Sequence, residues 1–149
     1  MTLALRATPE EVMRSVEELE KFGRSHGIGE KELFEARLAL EECGSNIVDY
    51  ALRRDSHQTF RVTIELFGEN LTLELRDSGP EFDPTSFHKA QPTGSDTVGG
   101  WGLELVRRSM HEVRYRREGT ENILTLTKVV RIGQPLIKPE TLNTKAYGS

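Results

Sequence analysis

A glutamate and an asparagine, Glu42 and Asn46, lie four residues apart in a stretch with helical periodicity. Residues at positions i and i+4 are neighbours on one face of a helix. A carboxamide oxygen can ligate a hard cation, and a carboxylate beside it can orient or deprotonate an attacking hydroxyl group. Such pairs are also common on solvated helix surfaces. The pair therefore indicates phosphoryl transfer only if a nucleotide site accompanies it.

One segment that could belong to a nucleotide site contains Asp77 and Gly79, directly after an alternating apolar stretch. A carboxylate at the end of a strand can accept a hydrogen bond from the exocyclic amine of adenine. A glycine close by lets the base pack against the backbone. The sequence Asp-Ser-Gly-Pro is equally typical of a simple turn.

A second such segment runs from Gly99 to Leu103, where a loop-like sequence changes to helical periodicity. Its three glycines, Gly99, Gly100 and Gly102, would allow backbone N–H groups to approach a phosphate. The N-terminus of the following helix would add unpaired donors and its dipole. A flexible hinge before a helix is the alternative interpretation.

The bulk properties are those of one ordinary domain. The chain has 149 residues and a net charge of −4, which argues against nucleic acid or an anionic membrane as a partner. Its single cysteine, Cys43, excludes an internal disulfide and indicates a buried structural thiol. The sequence begins without a signal-peptide pattern, and no apolar run approaches the roughly 20 residues that cross a bilayer. We therefore expect a cytoplasmic protein.

The periodicities predict the order strand, helix, helix, strand, strand, loop, helix, strand, strand. Thr8, Pro9 and Glu11 predict a helix start with a capping box. A second helix is predicted from about Glu30 to Arg53, with Glu42 and Asn46 at the border between its apolar arc and solvent. The remaining strands are predicted around 60–66, 71–76, 113–115 and 123–129, with a helix over 101–110.

This order predicts an α+β fold, a two-layer sandwich in which a mixed, mostly antiparallel sheet is covered on one face by helices. The sequence contains neither the phosphate-binding motif of P-loop proteins nor a dinucleotide fingerprint after a strand. We expect a domain over residues 1–132. Residues of about 80–100, rich in Pro, Gly, Ser and Thr, would form a lid, and residues 133–149 a polar, flexible tail.

Taken together and in this order, the three segments resemble the GHKL, or Bergerat-fold, ATPases. More narrowly, the chain is similar to the small bacterial anti-sigma factor/serine-protein kinases. The resemblance extends from about Thr8 to Lys128 and rests on residues 38–46, 76–84 and 99–106. It implies the histidine-kinase-type ATPase fold, with ATP and Mg²⁺ as cofactors.

The resemblance also implies a role for each motif residue. Asn46 would ligate the Mg²⁺ that bridges the ATP phosphates, and Glu42 would be the general base or the orienting carboxylate for the incoming serine hydroxyl. Asp77 would read the adenine amine, with Gly79 supporting the pocket. Backbone N–H groups of the second glycine segment would bind phosphates, and the residues concerned are Gly99, Gly100, Gly102 and Leu103.

The partners implied by the resemblance are a small anti-sigma-factor antagonist, phosphorylated on serine, and a sigma factor. A homodimer is expected through the N-terminal strand and helix, because their apolar residues Leu3, Leu5 and Val12 need to be shielded from solvent. Tyr50 stands where many relatives have histidine, and Asp49 where some have a basic residue. These departures leave open a non-catalytic module in which nucleotide controls partner binding. An α+β interaction domain without nucleotide is a third possibility.

Overall fold

The computed structural model describes residues 1–85 and 104–133. Its strands are β1 (Thr2–Arg6), β2 (Thr59–Phe67), β3 (Asn70–Asp77), β4 (Glu112–Glu118) and β5 (Glu121–Val129). Its helices are α1 (Pro9–Ser25) and α2 (Glu30–Asn46), a π-helical turn at Ile47–Ala51, and a short helix over residues 104–109. Most of the predicted lid, the glycine segment 99–103 and nearly all of the predicted tail lie outside the described residues.

The strands form one sheet in the order β1-β2-β3-β5-β4, and each of these four pairings is antiparallel. Alternate residues of β3, namely Leu71, Leu73 and Leu75, are fully buried against the helices. The opposite face of the sheet carries charged pairs, including Arg76 with Glu121. This confirms the predicted α+β sandwich with helices on one face.

Helices α1 and α2 pack closely because small residues lie where they cross. A Cβ added to Gly44 would come within 3.0 Å of a Val12 methyl group, and one added to Gly23 within 2.5 Å of Leu33. Val12 and Leu5 are 2% and 1% exposed in the single chain. These two side chains are therefore covered without a partner, and the reason given above for a homodimer does not hold for them.

The predicted start of α1 is half confirmed. Thr8 is the N-cap residue and its hydroxyl accepts a hydrogen bond from the backbone N–H of Glu11 at 3.2 Å. The reciprocal half of the capping box is wrong. The Glu11 carboxylate accepts from the backbone N–H of Arg6 at 3.2 Å and binds Arg14, while the N–H of Thr8 donates to the carbonyl of Arg6.

Helix α2 is α-helical only as far as Asn46, so the prediction of one regular helix to Arg53 is wrong over its last turn. From Ile47 the chain makes a π-helical turn, in which the N–H of Leu52 donates to the carbonyl of Ile47 at 2.8 Å. Arg53 and Arg54 then adopt left-handed backbone conformations, with φ of 52° and 57°. Because the widening begins after Asn46, the four-residue spacing from Glu42 to Asn46 keeps its α-helical geometry.

Candidate nucleotide site

A narrow cavity that opens to solvent lies between the C-terminal end of α2 and the helix-facing side of the sheet. Helix α2 contributes Asn46 and β3 contributes Asp77. The other lining residues are Cys43, Ile47, Leu75, Phe82, Pro84, Tyr115, Asn122 and Leu124. Two of the polar residues singled out in the sequence thus share one mostly apolar pocket, an arrangement typical of a small-molecule site.

Asp77 is the last residue of β3 and is 4% exposed. Its Oδ1 accepts hydrogen bonds from the backbone N–H of Gly79 and from Asn122 Nδ2, both at 2.9 Å. Within the described part of the chain, Oδ2 accepts none. Burial raises the pKa of Asp77, while the hydrogen bonds from Asn122 and Gly79 and the charge of Arg117 oppose that rise.

Gly79 is required because the chain passes very close to the end of the π-helical turn. A Cβ at this position would lie 2.7 Å from the carbonyl oxygen of Ala51 and 3.0 Å from Asp77 Oδ1. No real Cβ tolerates the first distance, so any larger residue would push the segment after β3 away from α2. Gly79 therefore keeps the wall of the pocket in place.

Glu42 and Asn46 are both half-buried, as predicted from their position at the border of the apolar arc. Burial raises the pKa of Glu42, and the neighbouring charge of Glu41 raises it further. Glu42 lies one helical turn before Asn46 and does not line the cavity. Between them Cys43 is buried and its pKa is raised to about 12, so its thiol stays protonated and is a structural residue, as predicted.

The two departures from the family pattern, Asp49 and Tyr50, have partners on this chain. Asp49 Oδ1 accepts from Arg54 Nε at 2.7 Å, and this exposed ion pair offsets part of its charge. The ring of Tyr50 stacks on Phe82, with ring centres 6.1 Å apart and planes 19° apart. Phe82 lines the cavity, and Tyr50 therefore packs behind one wall of the pocket.

Asn122 is a site residue that the sequence analysis missed. It lies opposite Asp77 in the β3–β5 register and is 4% exposed. A polar residue in the same alternating series as the inward-facing Leu124 and Leu126 was the available signal, but the register that places it beside Asp77 cannot be read from β5 alone. Arg117 of β4 was also missed. Its Nη1 donates to the carbonyl of Gly79 at 2.8 Å.

The predicted phosphate-binding residues Gly99, Gly100, Gly102 and Leu103 lie outside the described residues. The described residues on either side of this gap do meet. Arg107, in the helix over residues 104–109, donates from Nη2 to the carbonyl of Thr85 at 3.3 Å. The helix over residues 104–109 therefore contacts Thr85, the residue that follows Pro84 at the cavity.

No group of three or more His, Cys, Asp or Glu residues within 1–85 and 104–133 could hold a metal ion by itself. A cation at this site would need ligands from elsewhere, which suits Mg²⁺ because it commonly keeps waters and takes one or two protein ligands plus substrate phosphates. The amide oxygen of Asn46, at the cavity, is a ligand of the right kind. Over the same residues, no helix is both long and apolar enough to cross a bilayer.

Comparison with known proteins gives consistent matches. A family model described as "Histidine kinase-like ATPase domain" matches residues 5–128. A relative from Bordetella bronchiseptica, named serine/threonine-protein kinase BtrW, is 32% identical over 103 residues, which are 63% of this chain and 68% of that protein.

Two solved structures share the fold at low sequence identity. One contains the RsbU and RsbW domains of Rv1364c from Mycobacterium tuberculosis, with a TM-score of 0.65, 18% identity, and coverage of 93% of this chain but only 34% of that one. The other is the SiaB–SiaC complex of Pseudomonas aeruginosa, with a TM-score of 0.59, 13% identity, and coverage of 88% of this chain and 89% of that one.

Proposed function

Because the chain belongs to the family of histidine kinase-like ATPase domains, we propose that it is an ATP-dependent serine-protein kinase that phosphorylates a small anti-sigma-factor antagonist. One observation supports this most strongly. The cavity brings Asp77, with its Oδ2 open, together with Asn46 from the end of α2. This supports a site in which Asp77 would bind the adenine base and Asn46 would act on the phosphate side, from two walls of one pocket.

In this proposal the apolar walls of the cavity hold the adenine ring, and Asp77 Oδ2 accepts a hydrogen bond from its exocyclic amine. The carboxylate is nearly buried, so the hydrogen bond is shielded from water and gains in strength. Gly79 keeps the adjoining backbone close to the ring. The second glycine segment would close over the phosphates with the N–H groups of Gly99, Gly100, Gly102 and Leu103.

Asn46 fits the role of the protein ligand to Mg²⁺, which when bound would neutralise charge on the ATP phosphates. Glu42 would then accept the proton of the incoming serine hydroxyl. The bond from serine Oγ to the γ-phosphorus forms as the bond to the β–γ bridging oxygen breaks, and ADP leaves. A pKa raised by burial makes Glu42 a stronger base than an exposed glutamate.

We propose the antagonist as substrate because a relative that is 32% identical over 103 residues is named a serine/threonine-protein kinase, and because one structural neighbour is a complex with a second protein. Binding of a sigma factor, and a homodimer, are further parts of the proposal. The domain would extend over residues 1–132, since Ile132 pairs with Ile28 beyond the end of β5. The proposal also includes a lid over about 80–100, a flexible tail over 133–149 and a cytoplasmic location.

Isothermal titration of ATP into the protein, with and without Mg²⁺, tests the nucleotide site. The variant D77N should abolish binding. Asn122 Nδ2 and the Gly79 N–H both need an acceptor, so the new amide would keep its oxygen toward them and turn its N–H₂ toward the adenine amine. Asn46→Ala should reduce the gain in affinity that Mg²⁺ provides. The matched control Asp55→Asn, at an exposed loop residue, should bind like the wild type.

Absence of ATP binding under every condition would refute the site and the proposed function together. Binding of ATP without transfer of phosphate to any antagonist, but with tight nucleotide-dependent partner binding, would instead support the non-catalytic binding module.

A further inference from the structure

Asn122 makes more hydrogen bonds than any other side chain around the cavity in the described part of the chain. Its Nδ2 donates to Asp77 Oδ1 and to the carbonyl of Pro80, both at 2.9 Å, and approaches that of Gly79 at 3.5 Å. Resting on the proposed function, we infer that Asn122 is the positioning residue that aims Asp77 Oδ2 at the nucleotide base and ties the segment after β3 to β5.

The orientation of the Asn122 amide follows from its neighbours. All three groups around Nδ2 are oxygens that can only accept. The groups around Oδ1 are donors, namely the Phe82 N–H at 3.1 Å, Arg117 Nη1 at 3.1 Å and the Tyr115 hydroxyl at 2.6 Å. A flipped amide would put acceptor against acceptor and donor against donor, so only one orientation satisfies the network.

This arrangement decides which oxygen of Asp77 meets the ligand. Two donors, the Gly79 N–H and Asn122 Nδ2, converge on Oδ1 and hold the plane of the carboxylate. Oδ2 is then left for the base. Without Asn122 a single backbone donor would remain, and the carboxylate could rotate about its side-chain bond. Preorganised acceptors bind more tightly because no reorganisation is needed at the moment of binding.

Asn122 also determines the path of the wall of the pocket. It holds the carbonyl of Pro80 and the N–H of Phe82, while Arg117 holds the carbonyl of Gly79. Three successive points of the segment that follows β3 are thus fixed to β4 and β5. Phe82 lines the cavity, so the position of this ring depends on the same amide.

The pKa of Asp77 depends on the groups around it, so the pH dependence of ATP binding reports on this network. Cys43 of α2 and Tyr115 of β4 line the same cavity. Arg117 of β4 lowers the pKa of Asp77 and Glu121 of β5 raises it, both through their charges. The hydrogen bond from Asn122 lowers it as well. Wild-type affinity for ATP should fall as the pH drops and Asp77 takes up a proton.

The isosteric variant N122D tests the inference. It replaces the amide N–H₂ by a carboxylate oxygen beside Asp77 Oδ1, so the two acids repel when both are ionised. At pH 8 we expect ATP affinity to fall at least about tenfold relative to the wild type. As the pH is lowered toward 6, one proton shared by the pair restores a hydrogen bond, and affinity should recover. The wild type has only one acid at this place and should show no such recovery.

ATP affinity is measured for N122D and for the wild type at each pH. The ratio of the two affinities cancels the effect of protonation of ATP itself. Loss by the same factor at every pH would indicate a merely structural role and overturn the inference. ATP affinity of N122D equal to that of the wild type would also overturn the inference. These results differ from failure of the proposed function, in which the wild type would not bind ATP or D77N would bind it normally.

A measurement on the wild type covers the case in which N122D does not fold. The side-chain amide of Asn122 gives its own ¹H–¹⁵N NMR signals, identified by their absence from the spectrum of Asn122→Ser. If Asn122 donates to Asp77, these signals should shift with the same pH midpoint as the decline in ATP affinity. Signals that do not titrate, or titrate with another midpoint, would refute the positioning role.

Discussion

Burial raises the pKa of two carboxylic acids, Asp77 and Glu42, but their surroundings suit them for different tasks. Asp77 receives two hydrogen bonds and the charge of Arg117, which favour its ionised form and hold it still. Among the described residues no such donor opposes the rise at Glu42, whose pKa is raised by desolvation and by Glu41. The proposed reaction needs both kinds of carboxylate. One is a fixed hydrogen-bond acceptor for the adenine ring, and the other is a less restrained carboxylate that can take up a proton.

Replacing Glu42 by glutamine should lower the rate of phosphate transfer to an antagonist about 10²- to 10⁴-fold while leaving ATP affinity nearly unchanged, since only proton acceptance is removed. Single-turnover phosphorylation with radiolabelled ATP, beside a titration of ATP binding, measures both. Transfer at the wild-type rate by E42Q would show that Glu42 is not the base.

The neighbouring residue Glu41 provides a matched control with its own pH signature. The base must be ionised, so the rate should fall as the pH drops through the raised pKa of Glu42. In Glu41→Gln the nearby negative charge is gone, and the pKa of Glu42 should move down toward its ordinary value. The variant should therefore stay active, and its acid limb should lie at lower pH than that of the wild type.

At the scale of secondary structure, the end of α2 is where this chain departs from a regular helix. The π-helical turn follows Asn46 directly, and π-helical turns of this kind are frequent at functional sites. It brings the carbonyl of Ala51 against Gly79, where no side chain fits. Two arginines with positive φ then complete the exit from the helix.

Arg53→Gly should stabilise the protein by about 0.5–1 kcal/mol. A left-handed conformation costs a residue with a Cβ about 1–2 kcal/mol, and glycine avoids that cost at some expense in unfolded-chain entropy. The Arg53 side chain is exposed and makes no ion pair with the described residues. Urea unfolding measures the change. The control Arg53→Ala keeps the Cβ and should bring no gain, so equal stability of the two variants would contradict the explanation.

At the scale of the whole molecule, Lys128 joins three elements at the end of β5 remote from Asn122. It is 5% exposed, pairs with Glu35 of α2 at 3.0 Å, and donates to the carbonyl of Ser109 at the end of the helix over residues 104–109. That helix directly follows the predicted phosphate-binding segment. Lys128 therefore anchors it to the sheet and to α2.

The substitution Lys128→Met should lower the free energy of unfolding by about 1–3 kcal/mol, because the Ser109 carbonyl loses its donor and Glu35 its partner. The loss should be smaller than for a fully buried pair because the Glu35 side chain is still 29% exposed. The exposed pair of Lys21 and Glu18 is the control, and Lys21→Met should cost at most about 0.5 kcal/mol. Equal effects in urea unfolding would argue against an anchoring role for Lys128.

The sequence by itself determined the elements and the family. Period-two and helical patterns depend on which side of an element is apolar, and that is local information, so β2, β3 and the start of α1 were predicted close to their observed positions. The order of the three motifs was sufficient for the resemblance, which the match over residues 5–128 confirms. The positions of Glu42 and Asn46 at the border of the apolar arc followed from helical periodicity alone.

Only the tertiary structure decided how the site is assembled. The pairing of β3 with β5 places Asn122 beside Asp77, and strand register depends on contacts between segments far apart in the chain. The same holds for the approach of Gly79 to Ala51, for the stacking of Tyr50 on Phe82, and for the cover that the core gives to Leu5 and Val12. Local patterns can place a residue on a face, but they carry no information about which remote residue it will meet there.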